Sequence, residues 1–142
     1  MKPINFLHVE DSETDIILIQ DAMQELSFSH KTEVVRNGYE AIQFLNKTGE
    51  YKDKLTPDLI LLDINMPLMD GHELLDSIKT SDSLKHIPVI MLTTSSSRND
   101  IMRSYQKHAN SYVIKPDNID DFGNVAQAIE AFWMKVATLP SR

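Results

Sequence analysis

The sequence predicts a protein of the α/β class, in which five strand–helix units build one parallel sheet covered by helices on both faces. Two observations lead to this prediction. Short, apolar, β-rich runs alternate along the chain with segments of helical periodicity. The chain has 142 residues, which suits one domain and excludes a closed eight-stranded α/β barrel, because such a barrel needs about 250 residues.

The predicted strands are short and almost continuously apolar. This character is typical of strands that are covered on both faces, since a half-exposed strand would alternate apolar and polar residues. The predicted strands are residues 5–10, 32–36, 58–63, 88–94 and 111–115.

Amphipathic helices are predicted after each of these strands. In the first helix, Ser12 is placed to cap the amino end and Asp15 follows three residues later, which is a capping-box arrangement. The second follows Gly38, the third begins near Gly71, and Asn118 is placed to cap the fifth. The apolar residues at helical spacing are Ile16, Ile19, Met23 and Leu26; Ala41, Ile42 and Leu45; Leu74, Leu75 and Ile78; Ile101, Met102 and Tyr105; and Phe122, Val125, Ile129, Phe132 and Val136.

Right-handed crossovers arrange such a chain into a single doubly wound domain. The expected strand order is 2-1-3-4-5, the flavodoxin-like arrangement, in which the chain reverses direction between strands 1 and 3. Ligands of such folds bind beyond the carboxyl ends of the strands at that reversal. The candidate functional residues are therefore those that close the strands.

Composition excludes several classes of function. The chain has no cysteine, which excludes disulfides and thiolate chemistry and makes a reducing cytoplasm the expected location. The net charge of −7 disfavours binding to nucleic acid or to an anionic membrane. No apolar run approaches the roughly 20 residues of a membrane span, and the amino-terminal residues become acidic too early for a signal peptide.

Carboxylates close the two strands at the reversal. Glu10 and Asp11 end strand 1, and Asp63 ends strand 3, where the apolar run 59–62 stops. Like charges this close repel unless a cation binds. Oxygen ligands favour a hard cation, and a few carboxylates with water suit Mg²⁺ better than Ca²⁺. The sequence therefore predicts a Mg²⁺ site.

Two further strand ends supply a hydroxyl and an ammonium group. Thr93 lies at the end of strand 4, and Lys115 closes strand 5 before Pro116. Beside carboxylates, these groups make a receptor for a phosphoryl group, because both can donate hydrogen bonds to its oxygens. A carboxylate can also be a nucleophile that forms an aspartyl phosphate. The pattern therefore predicts that Asp63 is phosphorylated.

These strand-end residues, in this order over roughly residues 4–136, resemble the receiver domain of two-component response regulators. The resemblance implies that Asp63 accepts a phosphoryl group from a histidine kinase or a phosphotransfer protein. It implies that Thr93 and Lys115 contact the phosphoryl oxygens. It also implies a switch protein that takes part in its own phosphorylation and dephosphorylation, and not an enzyme.

The resemblance further assigns the metal ligands and the moving parts. Mg²⁺ would be bound by Asp11, Asp63 and the backbone carbonyl of Asn65, with Glu10 acting largely through water. Tyr112 matches the switch aromatic, which turns inward when the hydroxyl residue moves toward the phosphate. The surface formed by helix 4, strand 5 and helix 5 would then change its affinity for a downstream protein, and a homodimer through this surface is a further expectation.

Residues of the surrounding loops are given structural roles. Pro67 is expected to fix the loop that carries the Asn65 carbonyl, and Gly71 to permit the start of helix 3. The bond between Lys115 and Pro116 is commonly cis in receivers, although this sequence leaves its state open. Before strand 5, Asn110 is expected to adopt the left-handed backbone that glycine adopts in many receivers.

Two segments narrow the resemblance. The loop 47–58 is longer than in the chemotaxis-type receiver, and the segment 131–140 extends beyond it. Both resemble the small response regulators that partner bacterial phytochrome-type histidine kinases. Because no output domain follows helix 5, we expect one stand-alone receiver over residues 1–142, with a short tail at 137–142.

Three alternatives remain open on the same fold. A phosphatase of the haloacid-dehalogenase type also uses Mg²⁺ and an aspartate nucleophile, but it needs a second aspartate where this chain has Asn65. A flavin-binding module needs a loop rich in Ser, Thr and Gly where this chain has the acidic segment 10–15. A degenerate receiver would act only as a scaffold. His8 is expected to be a hydrogen-bonded structural residue, and one of Phe132 and Trp133 to be exposed.

Overall fold

The computed structural model describes residues 2–140 and confirms the predicted α/β fold. The strands are β1 (Ile4–Val9), β2 (His30–Val35), β3 (Leu59–Leu62), β4 (Val89–Thr93) and β5 (Ser111–Ile114). The helices are α1 (Glu13–Gln24), α2 (Gly38–Leu45), α3 (Gly71–Lys79), α4 (Arg98–Gln106) and α5 (Asp121–Ile129). The strands are parallel and lie in the order β2-β1-β3-β4-β5, as predicted. Within residues 2–140, no helix combines the length and the apolar character needed to cross a bilayer.

The central strand divides its side chains between two apolar cores. Ile60 and Leu62 belong to the core that α2 and α3 cover, whereas Leu59 and Leu61 belong to the core that α1 and α5 cover. All four are fully buried, which explains why this run is apolar throughout. Burial of each such side chain stabilises the fold by about 1.5–3 kcal/mol. This packing fixes the position of β3 and therefore of Asp63, the residue that follows the strand.

The first helix is capped only in part as predicted. The Ser12 Oγ accepts a hydrogen bond from the backbone N–H of Asp15 at 3.3 Å. The Asp15 carboxylate does not complete the capping box, because it accepts a hydrogen bond from Lys115 instead. A reciprocal capping box between Asp70 and Glu73, which was not predicted, starts α3.

Two asparagines act differently from the sequence prediction. Asn118 does not cap α5, which begins at Asp121 after Asp120. Its side chain instead accepts a hydrogen bond from the backbone N–H of Asp120 at 3.0 Å. The left-handed backbone before β5 is found at His108, with φ of 72°, and not at Asn110. The Asn110 Oδ1 accepts a hydrogen bond from the first residue of β4 at 2.8 Å, so its side chain joins the two strands.

A π-helical turn, Glu130–Met134, continues α5 and changes which residues face the core. Helical spacing placed Phe132 and Val136 in the buried series, but these side chains are 53% and 73% exposed. The wider turn rotates the following residues about the helix axis, so Trp133 and Met134 pack against the core in their place. One exposed member of the aromatic pair was expected, and it is Phe132.

The buried carboxylate of this turn binds the loop between α1 and β2. Glu130 Oε2 accepts hydrogen bonds from the backbone N–H of Phe28 at 3.0 Å and from Ser27 Oγ at 3.2 Å. The hydrogen bond from Phe28 lowers the pKa of Glu130, and the nearby charge of Lys135 lowers it further. The contacts attach the carboxyl-terminal segment to the body of the domain.

Glu130→Gln is expected to lower the free energy of unfolding at neutral pH by about 1–2 kcal/mol, because the amide accepts these hydrogen bonds more weakly than the carboxylate does. The pKa of this carboxylate is depressed by folding, so its contribution is present above the unfolded value and is lost as the pH falls through the folded value. Urea unfolding at pH 7 and near pH 4 measures both effects. An equal loss for the exposed control Glu50→Gln would contradict this prediction.

Candidate functional site

The carboxyl ends of β1 and β3 lie side by side and bring acidic residues together. Val9 pairs with Leu62 in the sheet, and the backbone N–H of Asp63 donates to the Val9 carbonyl at 3.1 Å. Carboxylate oxygens of Glu10, Asp11 and Asp63 all lie within 4.8 Å of one another. Glu10 and Asp63 are buried while Asp11 is exposed, so the cluster is open to solvent on one side.

Lys115 extends from the end of β5 into this cluster. Its Nζ lies 2.6 Å from Glu10 Oε1, 2.8 Å from Asp15 Oδ2 and 3.5 Å from Asp63 Oδ2. Asp15 was not among the predicted site residues. No local signal marked it, because Asp11 lies before the cap Ser12, outside α1, and the spacing of Asp15 from Ser12 also matches a helix cap.

The crowding of charge shifts the protonation of this site. Burial raises the pKa of Glu10 to about 7, against the hydrogen bond from Lys115 and with the help of the Asp63 charge. Burial alone would lower the pKa of Lys115, but the hydrogen bonds to Asp15 and Glu10 and the charge of Asp63 raise it above its ordinary value. Four carboxylates, those of Glu10, Asp11, Asp15 and Asp63, surround this one ammonium, so negative charge exceeds positive charge in the pocket. Oxygen donors with excess negative charge fit a hard divalent cation such as Mg²⁺.

His8 lies buried behind the cluster without the hydrogen bonds that were predicted for it. Its Nε2 is 4.0 Å from Glu10 Oε1, which is too long for a hydrogen bond. Its Nδ1 has no hydrogen-bond partner within the described residues. Burial, together with the charge of Lys115, lowers the pKa of His8 to about 4, so the imidazole is neutral and adds no positive charge to the pocket.

Thr93 and Tyr112 meet at one residue of the loop between β4 and α4. The buried Thr93 Oγ1 accepts a hydrogen bond from the backbone N–H of Ser95 at 3.3 Å. The Tyr112 hydroxyl donates to the Ser95 carbonyl at 2.8 Å, and the ring packs against the core beneath α3. Burial raises the pKa of Tyr112, which keeps the hydroxyl protonated as a donor.

The loop between β3 and α3 holds the Asp63 carboxylate. The backbone N–H of Ile64 donates to Asp63 Oδ1 at 2.8 Å. The Gly71 N–H donates to the Ile64 carbonyl at 2.8 Å, and a Cβ at position 71 would lie only 2.2 Å from the Asp63 carbonyl oxygen. Helix α3 can therefore start this close to the site only with glycine at that position.

Other predicted residues lie around the pocket. Asn65 is exposed in the loop after Asp63, and the carbonyl of Pro67 accepts a hydrogen bond from the backbone N–H of Met69 at 2.9 Å. The peptide bond before Pro116 is trans, because the described residues contain no cis peptide bond. The cis form that is common in receivers is thus not found in this structure.

Leu68 lies in the same loop with a strained backbone, at φ of 70°, and its side chain is 76% exposed. Leu68→Gly is expected to raise the free energy of unfolding by about 0.5–1 kcal/mol. A left-handed leucine costs roughly 1–2 kcal/mol, and the larger conformational entropy that glycine loses on folding offsets only part of the gain. Urea unfolding measures the change. Leu68→Ala keeps the Cβ and is the matched control, so an equal gain from alanine would show that strain is not the cause.

The family model of the response regulator receiver domain matches residues 6–127 of the sequence. The chain belongs to the response regulator receiver family. This receiver is 42% identical over 139 residues to the response regulator Rcp1 of Synechocystis sp., a match that covers 98% of this chain and 95% of Rcp1. The predicted family is therefore confirmed.

Solved structures agree with the receiver assignment. The phosphorylated cyanobacterial phytochrome response regulator RcpA matches with a TM-score of 0.94 and 42% identity, over 98% of this chain and 99% of that one. The Mn²⁺-bound form of Rcp1 matches with a TM-score of 0.91 and 42% identity, over 97% and 99% of the two chains. The predicted resemblance to phytochrome response regulators is confirmed. Receivers bind Mg²⁺ at an acidic pocket, and Glu10, Asp11 and Asp63 form that pocket in this receiver.

Proposed function

We propose that this receiver is a phosphoryl-accepting switch, in which Asp63 takes a phosphoryl group from a histidine kinase or a phosphotransfer protein in a Mg²⁺-dependent reaction. The central support is the meeting of Asp63 with Glu10, Asp11 and Lys115 at the carboxyl edge of the sheet. One oxygen of Asp63 is held by the backbone, and the other lies 3.5 Å from the Lys115 ammonium.

The proposed reaction is a transfer between a histidine nitrogen and a carboxylate oxygen. Asp63 attacks the phosphorus, the nitrogen–phosphorus bond breaks, and its electron pair returns to the donor imidazole. Such a transfer depends mainly on positioning and on neutralised charge. The hydrogen bond from Ile64 to Oδ1 fixes the rotation of the carboxylate and leaves Oδ2 facing Lys115. When bound by Asp11, Asp63 and the Asn65 carbonyl, with Glu10 acting largely through water, Mg²⁺ would neutralise charge on the phosphoryl oxygens.

Two residues would report phosphorylation to the rest of the domain. Lys115 would exchange part of its contact with Glu10 and Asp15 for a phosphoryl oxygen, since the new group carries more negative charge. Thr93 would donate its hydroxyl hydrogen to another phosphoryl oxygen and draw the β4–α4 loop inward. Tyr112 already lies inward on this loop, so the described conformation supplies part of the proposed activated arrangement.

The output surface in this proposal consists of α4, β5 and α5. Apolar side chains on it and on the π-helical turn that follows α5 are about half exposed: Met102, Tyr105, Ile114 and Phe132. Phe132 also lines a hollow of about 500 Å³, together with Val113, Val125 and Trp133, among others. Such a surface suits a downstream protein or a second copy of the receiver. A monomer at every concentration in sedimentation, with and without a phosphate analogue, would exclude the second copy.

The proposed donor is a histidine kinase of the phytochrome type, in the cytoplasm. Support comes from the phytochrome response regulator among the structures that match along nearly the whole chain. The match also spans 95% of the length of Rcp1, which supports a single receiver over residues 1–142.

The experiment that tests the function uses a small phosphodonor. The purified protein is incubated with acetyl phosphate, with and without Mg²⁺, and the acyl phosphate is reduced with borohydride so that mass spectrometry can locate it. We expect modification at Asp63 that requires Mg²⁺. Modification elsewhere would contradict the proposal, and repeated turnover of a phosphate ester would favour the phosphatase alternative.

A further inference from the structure

A buried histidine outside the acidic pocket is connected to the loop that carries the switch residues. His72 lies at the start of α3 and is only 2% exposed. Its Nε2 lies 2.9 Å from Oδ1 of Asp100, in the first turn of α4. The other oxygen of Asp100 accepts a hydrogen bond from Ser95 Oγ at 2.6 Å. This chain of contacts, His72–Asp100–Ser95, crosses from α3 to the β4–α4 loop.

Ser95 connects the contacts of His72 and Asp100 to the proposed switch residues, Thr93 and Tyr112. Its backbone N–H donates to Thr93 Oγ1 at 3.3 Å, and its carbonyl accepts the Tyr112 hydroxyl at 2.8 Å. The position of Ser95 therefore determines where both switch residues find their partners. The side chain of Ser95 is held by Asp100, and Asp100 is held by His72.

Within residues 2–140, the His72 side chain makes its polar contact through Nε2, with Asp100. Its Nδ1 has no hydrogen-bond partner within residues 2–140, so the neutral tautomer with hydrogen on Nε2 leaves no unpaired buried donor. The hydrogen bonds from Ser95 and His72 lower the pKa of Asp100, which keeps the carboxylate ionised as their acceptor. An apolar residue of similar size would fill the same space and would remove the unpaired Nδ1, so packing alone does not explain a histidine.

We propose that His72 is a positioning residue of the switch: through Asp100 it holds Ser95 in the place that receives Tyr112 in its inward position. This inference rests on the function proposed above. A phosphoryl group binds more tightly when the conformation that it favours is already populated. Loss of the His72 contact would lower that population and weaken the response to a phosphoryl analogue, without changing any residue that touches the analogue or the metal.

The test compares binding of beryllofluoride, in the presence of Mg²⁺, to the intact protein and its variants. We expect His72→Leu to weaken binding by about 5-fold or more, the lower range of allosteric coupling. His72→Gln should restore most of the affinity, because its amide can donate to Asp100 from nearly the same place. Lys107→Gln is the matched control, since it removes another contact between α3 and α4, the ion pair with Asp76 at 3.2 Å, and should change affinity less than twofold.

Ser95→Ala provides an independent check, because it removes the hydroxyl at the other end of the same contacts. Combined with His72→Leu, it should weaken binding less than the two single effects multiplied together. Wild-type affinity in His72→Leu, equal weakening in His72→Gln, or full multiplication in the double variant would each overturn the inference. Should the wild type fail to bind beryllofluoride at Asp63, the proposed function fails. In that case the NMR signals of the Tyr112 ring test whether His72 positions this residue: His72→Leu should shift them and Lys107→Gln should not.

Discussion

Asp63→Asn is expected to reduce phosphorylation by acetyl phosphate to background while the fold remains intact. The amide is not a nucleophile, because its nitrogen lone pair is delocalised and its oxygen carries no full charge. The asparagine oxygen can still accept the hydrogen bond that Ile64 donates at 2.8 Å, so the loop keeps its anchor. Replacing the carboxylate also removes repulsion with Glu10, and the free energy of unfolding without metal should be unchanged or higher by up to about 1 kcal/mol.

Mass spectrometry of the reduced adduct measures this effect, and circular dichroism monitors the fold. Asp82→Asn is the matched control, since it makes the same substitution at an exposed carboxylate in the loop that follows α3, and it should be labelled like the wild type. If Asp63→Asn were still labelled at a comparable rate, the phosphoacceptor would be another residue.

Lys115→Ala is expected to have the second large effect, and it separates metal binding from switching. Among the described residues, Lys115 supplies the only cationic group within 4 Å of the carboxylates of Glu10, Asp15 and Asp63. The His8 imidazole lies 4.0 Å from Glu10, but it is neutral. Its removal should leave Mg²⁺ binding in place or tighten it, because a competing cation is lost. The link from the phosphoryl group to β5 should be broken, so that Tyr112 and the output surface no longer respond.

The same substitution should make stability depend on metal. Removing one partner of a buried ion pair costs about 3–5 kcal/mol, and Mg²⁺ should recover part of this loss by binding the folded state. Urea unfolding with EDTA or with excess Mg²⁺ measures the dependence, and the Tyr112 ring signals with beryllofluoride measure the switch. An unchanged response of Tyr112, or equal stability in both buffers, would contradict this role for Lys115.

The acidic pocket was predictable because parallel strands end at one edge of a sheet. Glu10 and Asp63 follow apolar runs, and the strand order that those runs predict makes them neighbours. Asp15 was not predicted, because its spacing from Ser12 also matched a helix cap. Only the distance to Lys115, which is 100 residues away along the chain, distinguishes the two roles. A local pattern carries no information about a partner that folding brings from so far away.

The end of α5 shows a second kind of feature that could not be predicted from the sequence. The spacing of Ile129, Phe132 and Val136 fits an α-helix, and nothing local marks the π-helical turn that begins at Glu130. That turn depends on tertiary contacts, since the Glu130 side chain is held by the loop at Ser27 and Phe28. Similarly, the contact between His72 and Asp100 joins two helices whose relative position the sequence pattern does not determine.

The packing of residues 2–4 near residues 133–139 has a practical consequence for engineering. Lys2, Ile4, Trp133 and Leu139 line one small hollow at the amino edge of the sheet, opposite the edge that holds the acidic pocket. A fluorescent protein attached at either end would therefore stand away from the face that a donor enzyme must approach. Because Lys2 and Leu139 line the same hollow, a circularly permuted version that joins these two segments is a natural starting point for a biosensor.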